Sequence, residues 1–313
     1  MRRRPEDRRV NDILCNVIVQ KLGLSGFYYV KTESGVIYEC RAKGTFKNQD
    51  ITPLVGDNVV FQVTDADERT GFVTEIAYRK NQLIRPAVAN VDQAMVVFAV
   101  RSPNPNLSIL DRFLVLMQKQ NIPVIIVFNK KDLAKADDIK NLKDTYKNSG
   151  CRLVFISAGG DKPKGLMQLK MMLRNKITVM AGPSGVGKST LINAIAGLKE
   201  GEDIATVGSL SAKAGRGKQT TRHNELFDIG NSFHIIDTPG FTSLLVNEDD
   251  YTREELQEAF PEFLPYKSKC PFKDCKHIKE RDCAVREAAE AGKISISRYN
   301  SYKAIFQEIK TRY

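Results

Sequence analysis

Asn129-Lys130-Lys131-Asp132 comes before Gly182-Pro183-Ser184-Gly185-Val186-Gly187-Lys188-Ser189 in this chain. The second stretch is a phosphate loop, Gly-x4-Gly-Lys-Ser, with a strand pattern before it at 177–180 and a helical one after it at 189–195. Its glycines let backbone N–H groups close around a phosphate, and the following helix N-terminus favours an anion. The motif assigns residues 182–188 and Thr190 to the nucleotide, Lys188 to the β- and γ-phosphates and to catalysis, and Ser189 to Mg²⁺. The first stretch ends the apolar run 123–128 and reads Asn-Lys-x-Asp. A carboxylate at Asp132 accepts from N1–H and the 2-amino group of guanine. Adenine has neither donor and leaves a buried charge unpaired, at about 1–3 kcal/mol or more. In ordinary small GTPases the phosphate loop comes first, so this site is complete but rotated.

Working outward, the strand–helix alternation from about residue 86 predicts a parallel sheet. Strands are expected at 93–100, 123–128, 151–156 and 177–180, helices at 110–119, 136–148 and 166–173, and a β pair at 225–229 and 232–236. Asn129 is expected to tie its loop to the phosphate loop, with the Lys130 stem along the base. Ser157-Ala158, at the end of the next strand, completes the pocket, the Ala158 N–H facing guanine O6. Asp237-Thr238-Pro239-Gly240 follows a strand, as an Mg²⁺-holding Asp and a γ-phosphate-sensing Gly240 amide require. Between them, Gly215-Arg216-Gly217-Lys218-Gln219-Thr220-Thr221-Arg222 has the glycines and threonines of a switch segment, and Thr221 is assigned to Mg²⁺ ahead of Thr220.

Residues 18–84 hold five short strand signals separated by glycine turns, the pattern of a small Greek-key barrel of OB type. Phe27, Tyr28, Tyr29 and Phe46 either fill such a barrel or stack on bases, and each one singly fits the core better. Residues 1–17 read as a basic tail.

The chain has 313 residues, 42% hydrophobic and 27% charged, with a net charge of +11. This allows one to three domains and suggests a polyanionic partner, nucleic acid first. There is no apolar run of about 18 residues to span a bilayer and no secretory start, so a cytoplasmic protein without a membrane partner is expected. The six cysteines do not form a disulfide framework. Cys270, Cys275, His277 and Cys283 instead give three thiolates and an imidazole, a closed set for one structural Zn²⁺. Lys267, Lys269, Lys273, Lys276 and Lys279 surround them, either as an RNA-facing surface or as solvated lysines. His223 and His234 read as structural or surface residues.

The rotated motif order, Gly-Arg-Gly-Lys-x-Thr-Thr at 215–221 and Cys-x4-Cys-x-His-x5-Cys at 270–283 together resemble the circularly permuted, ribosome small-subunit-dependent GTPase A family (RsgA, YjeQ or YloQ) over residues 18 to 313. The resemblance implies an α/β fold. In it a circularly permuted P-loop GTPase domain (85–247) is flanked by an N-terminal OB-like β-barrel (18–84) and a C-terminal helical zinc-binding domain (248–313). It implies a monomeric GTPase that binds GTP and GDP, associates with the 30S subunit and its 16S rRNA late in assembly, and is stimulated by that subunit.

Two positions depart from the family pattern. Gln219 stands where His is usual, and a Gln cannot act as a general base near neutral pH. Pro183 stands where Gln is common. Phe241 follows Gly240 where a Ras-like site has its water-positioning Gln, so slow intrinsic turnover is expected, completed by a switch segment or by RNA. The same connectivity joins the segment after Gly240 to the zinc domain, which suggests that nucleotide state repositions that domain. Two alternatives stand beside this reading: an RNA-binding module with a vestigial pocket, and an ATPase with a chance Asn-Lys-x-Asp.

Overall fold

A computed structural model describes residues 13–22, 26–44, 46, 51–160, 163–198, 224–229, 232–238, 246 and 250–309. The basic stretch before residue 13, the segment 215–222 with Gln219 and Thr221, His223, and Gly240-Phe241 lie outside the described residues.

Five strands open the chain: β1 (Ile13–Leu22), β2 (Phe27–Lys31), β3 (Ile37–Ala42), β4 (Asn58–Asp65) and β5 (Thr70–Ile76). β1 pairs antiparallel with both β2 and β4, β2 with β3, and β4 with β5, while β3 and β5 run parallel. The sheet therefore closes on itself in the OB order. Strict alternation drives the closure. Val59, Phe61 and Val63 of β4 point inward and join Val19, Val30, Tyr38, Cys40, Phe46 and Val73 in one core. Burial, with the charge of Glu39, pushes the Cys40 thiol up to about 12, which makes it a core residue and not a nucleophile.

One expectation changes here. β1 starts at Ile13, so the stretch read as tail already pairs by its backbone with β4, Ile13 opposite Gln62. Cys15 and Asn16 interrupt the apolar alternation and hide this strand start in the sequence. Of the four aromatics, Phe46 is buried in the core, the reading favoured for each singly, while Phe27 is half-buried beneath the Arg41 guanidinium, 4.5 Å from the ring centre.

After a short hairpin, β6 (Gln82–Leu83) and β7 (Val88–Ala89), the alternation follows. It runs β8 (Gln93–Ala99), α1 (Leu107–Lys119), β9 (Val124–Asn129), α2 (Ala136–Tyr146), β10 (Arg152–Phe155), α3 (Leu166–Leu173), β11 (Lys176–Ala181), α4 (Lys188–Ala196), β12 (Glu225–Ile229) and β13 (Phe233–Asp237). Helices α5 (Ala284–Glu290) and α6 (Ile296–Glu308) close the described chain.

The chain packs as two compact units, each assembled from separate stretches: residues 1–92, 173–180 and 201–239 in one, and 93–172, 181–200 and 240–313 in the other. In the first, β1 continues antiparallel into β12, β12 pairs antiparallel with β13, and β13 lies parallel to β11. Gln20 Nε2 donates to the Leu226 carbonyl at 3.0 Å, and Lys31 pairs with Asp228 at 2.7 Å. His234 Nδ1 meets the other oxygen of Asp228 at 2.6 Å, the structural part expected of it.

In the second unit β8, β9 and β10 are parallel. Every residue of β8 and β9 is buried, as the continuous apolar runs dictate. Helix α1 is capped by Asn106, whose side chain accepts from the Ile109 N–H at 3.3 Å. Its buried face holds Leu110, Phe113, Leu114 and Met117, and also Asp111. The C-terminal part packs Phe260, Phe263, Tyr299 and Tyr302 together, with Phe263 and Tyr302 ring centres 5.0 Å apart. Among the described residues no helix is long and apolar enough to cross a membrane.

Candidate functional site: a joined phosphate cradle and base-reading loop

β9 is short and fully buried, and it delivers Asn129 at its last position, 2% exposed. The side-chain amide does two jobs. Its Nδ2 donates to the Val186 carbonyl at 2.9 Å, and its Oδ1 accepts from the Ala158 N–H at 2.9 Å. Asn129 thus ties the phosphate loop to the loop after β10. The Ala158 amide expected to face guanine O6 is engaged by Asn129 in this structure.

Lys130 follows in the left-handed region with φ 59°, a conformation that costs a lysine about 1 kcal/mol or more and that its surroundings must hold. Its ammonium donates to the Gly185 carbonyl at 2.8 Å and to the Ser102 carbonyl. The Asp132 N–H donates to Ser157 Oγ at 3.1 Å, and the Lys131 N–H to the Ile156 carbonyl at 2.9 Å. These bonds fix the loop's backbone while the Asp132 side chain stays exposed. An exposed carboxylate on a held backbone is what selection of a base from solution needs.

The phosphate loop is shaped by contact. A β-carbon on Gly182 would lie 2.3 Å from the Val97 carbonyl oxygen, so only glycine lets the loop leave β11 this close to β8. Lys188 opens α4 and turns back over the loop, its Nζ donating to the Gly182 carbonyl at 2.8 Å and to the Pro183 carbonyl at 2.9 Å. Pro183 thus serves the cradle through its carbonyl, which any residue would supply. Ser184, Gly185, Ser189 and Thr190 are exposed at the mouth.

Asp237 ends β13 opposite Met180 in the barrel-containing unit. Thr238, which the sequence reading did not single out for itself, anchors that strand end, donating its hydroxyl at 3.0 Å and its N–H at 3.3 Å to the Met180 carbonyl.

The four C-terminal ligand candidates do converge. The Cys270, Cys275 and Cys283 sulfurs and one His277 nitrogen lie within 4.8 Å of one another. The separations run from 3.3 Å (His277 Nδ1 to Cys283) through 3.6 Å (to Cys270) to 3.7 and 3.9 Å between sulfurs. A tetrahedral ion with bonds of about 2.3 Å has edges of about 3.8 Å, close to these four separations, so the donor set suits a tetrahedral metal. Burial pushes the Cys275 thiol up to about 12, so thiolates here call for a cation. His277 would bind through Nδ1, because its Nε2 faces Gln257 Oε1 at 3.0 Å. Gln257 has no sequence signature, since it lies 20 residues from the histidine it orients. Of the surrounding lysines, Lys267 and Lys276 are paired with Glu258 and Glu254, and Lys269 lies against Tyr266.

A Gly-rich cradle and an Asn-Lys-x-Asp loop, bridged by Asn129 and carried in rotated order, define a circularly permuted GTPase. The profile of the RsgA GTPase matches residues 76–247, and that of the RsgA N-terminal domain residues 18–73. The chain belongs to the RsgA GTPase family and is a GTP-hydrolysing enzyme of ribosome biogenesis. It is 45% identical, over 93% of its length and 97% of the relative's, to the small ribosomal subunit biogenesis GTPase RsgA of Agathobacter rectalis. Its identity to the protein of the same name from Alkaliphilus metalliredigens is 46%, over 92% and 96%. The crystal structure of YjeQ from Thermotoga maritima superposes with a TM-score of 0.73 at 35% identity, covering 96% of this chain and 99% of that one. YloQ, described as a circularly permuted GTPase, gives 0.69 at 37%, covering 96% and 98%.

Proposed function

We propose that this GTPase binds the small (30S) ribosomal subunit through its 16S rRNA late in assembly, and that the subunit stimulates its hydrolysis of GTP. The observation that carries the nucleotide half is Asn129, which holds base loop and phosphate loop as one surface. Lys188, already turned over the loop carbonyls, is the group that neutralises the β- and γ-phosphates as the bond to the leaving group breaks. Asp132 selects guanine. By their motifs Ser189 and Thr221, with Asp237 acting through water, would hold Mg²⁺, which would supply charge neutralisation at the phosphates. Thr221 and Gln219 lie outside the described residues.

The three-part division into a barrel (18–84), a permuted GTPase domain (85–247) and a metal module (248–313) goes with this reading. The Cys270–Cys275–His277–Cys283 set suits Zn²⁺, and four protein ligands leave no position for water, so the ion is structural. The net charge of +11 supports an RNA partner, with the protein acting as a cytoplasmic monomer. The test is GTP hydrolysis by the wild type and by Lys188→Ala, each with and without purified 30S subunits. Stimulation confined to the wild type is expected, and a wild-type rate indifferent to 30S sinks the ribosomal reading.

A further inference from the structure

We propose that Arg298 is a positioning residue for the guanine site: it couples the Cys/His cluster to the Asn129–Asp132 loop, so that a metal held by the cluster tightens guanine-nucleotide binding. This rests on the nucleotide and metal readings above.

The coupling is built from contacts inside one compact unit. The cluster's own backbone is fastened to α6. Tyr299 donates its hydroxyl to the His277 carbonyl at 2.8 Å, and Tyr302 donates to the Lys276 carbonyl at 2.7 Å. Residues 268–283 form no regular helix or strand; Glu280 fastens their backbone by accepting from the Lys276, Ile278 and Lys279 N–H groups at 2.7–2.9 Å, and the four ligand atoms converge within 4.8 Å of one another. Phe263 packs edge-on against the His277 ring at 5.9 Å.

Arg298 sits beside Tyr299 on α6 and is 1% exposed. Its Nε donates to Glu262 at 2.7 Å and its Nη1 to Asp111 Oδ1 at 2.8 Å. That same Asp111 oxygen accepts the Tyr146 hydroxyl at 3.0 Å. Tyr146 is the last residue of α2, the helix that follows the base-reading loop. Its ring lies 6.2 Å from that of Phe128, the residue before Asn129. Charge has no room to relax here: a shift of α6 pulls the guanidinium from both carboxylates and disturbs the oxygen that Tyr146 shares. A buried ion set is held in one arrangement because any other leaves charge unpaired. Two sites that bias the same element must influence each other equally in both directions.

The experiment uses the full chain with its metal bound and a fluorescent GDP analogue, Mg²⁺ being kept in excess. A zinc-selective chelator removes the metal. In the wild type the dissociation constant for GDP is expected to rise about fivefold or more, and saturating GDP should tighten metal retention by the same factor. In the apolar replacement Arg298→Met with Asp111→Leu and Glu262→Met, the metal should still bind while its effect on GDP disappears. Tyr146→Phe, which removes one hydroxyl only, should weaken the coupling in the same direction and serves where the triple variant does not fold. A GDP affinity unchanged by metal removal, or an equal metal effect in wild type and Tyr146→Phe, overturns the proposal. Failure of the metal-loaded wild type to bind GDP at all overturns the nucleotide reading beneath it.

Discussion

Gly187 and Asn129 stand so close that a β-carbon on the glycine would lie 2.5 Å from the Asn129 amide nitrogen. That nitrogen is the one bonded to the Val186 carbonyl. Gly187 also has φ of +91°, a conformation that side chains resist. Gly187→Ala is therefore expected to push Asn129 off both partners at once. The loss of about 1–3 kcal/mol for unpaired buried groups corresponds to GTP and GDP affinities falling about 5- to 150-fold. Fluorescent-nucleotide titration measures it, and unchanged affinity would mean that the bridge does not hold the site.

Asp132 offers two acceptor oxygens at a backbone fixed by Ser157 and Ile156. Asp132→Asn replaces one acceptor by a donor, which opposes guanine and suits xanthine, whose C2 position carries an oxygen. GTP affinity is expected to fall at least about 100-fold while that for the xanthosine nucleotide rises. Competition between the two nucleotides reads the switch. Preserved guanine preference in this variant would place base selection elsewhere.

Asp228 joins β12 to the barrel through Lys31 and faces His234. Burial alone would raise its pKa, but the His234 and Lys31 bonds win and hold it below its ordinary 3.8. A carboxylate depressed in the folded state contributes stability that is present above the unfolded pKa and lost as pH falls through the folded value. The stability gap between wild type and Asp228→Asn is thus expected to persist at neutral and mildly acid pH and to close below pH 3.8. Unfolding curves of both proteins at stepped pH check this, and a gap that stays constant to strong acid contradicts it.

Much of the nucleotide site was legible before any fold was drawn. Gly182 and Gly187 belong to a motif because backbone geometry permits few other residues there, and Lys188 because its ammonium reaches back over the loop. The barrel was legible for a similar reason: the inward positions of β4 alternate without interruption. What stayed hidden depends on partners far along the chain. Asp111 reads as a polar break in an apolar helical stripe until Arg298, 187 positions later, is found beside it. Gln257 orients His277 with no motif to announce it. The lysines near the cluster looked uniformly available, yet Glu258 and Glu254 claim two of them. Pairings of this kind follow from tertiary packing, which local pattern does not encode.

β1 has three neighbours, β2, β4 and β12, and so serves as a seam between two sheets' worth of chain. A protein shortened to begin at residue 85 would lose that seam and uncover the Glu225 end of β12, which pairs with Lys21. An uncovered strand end invites pairing with further copies, so a fragment trimmed of its barrel is expected to be self-adhesive.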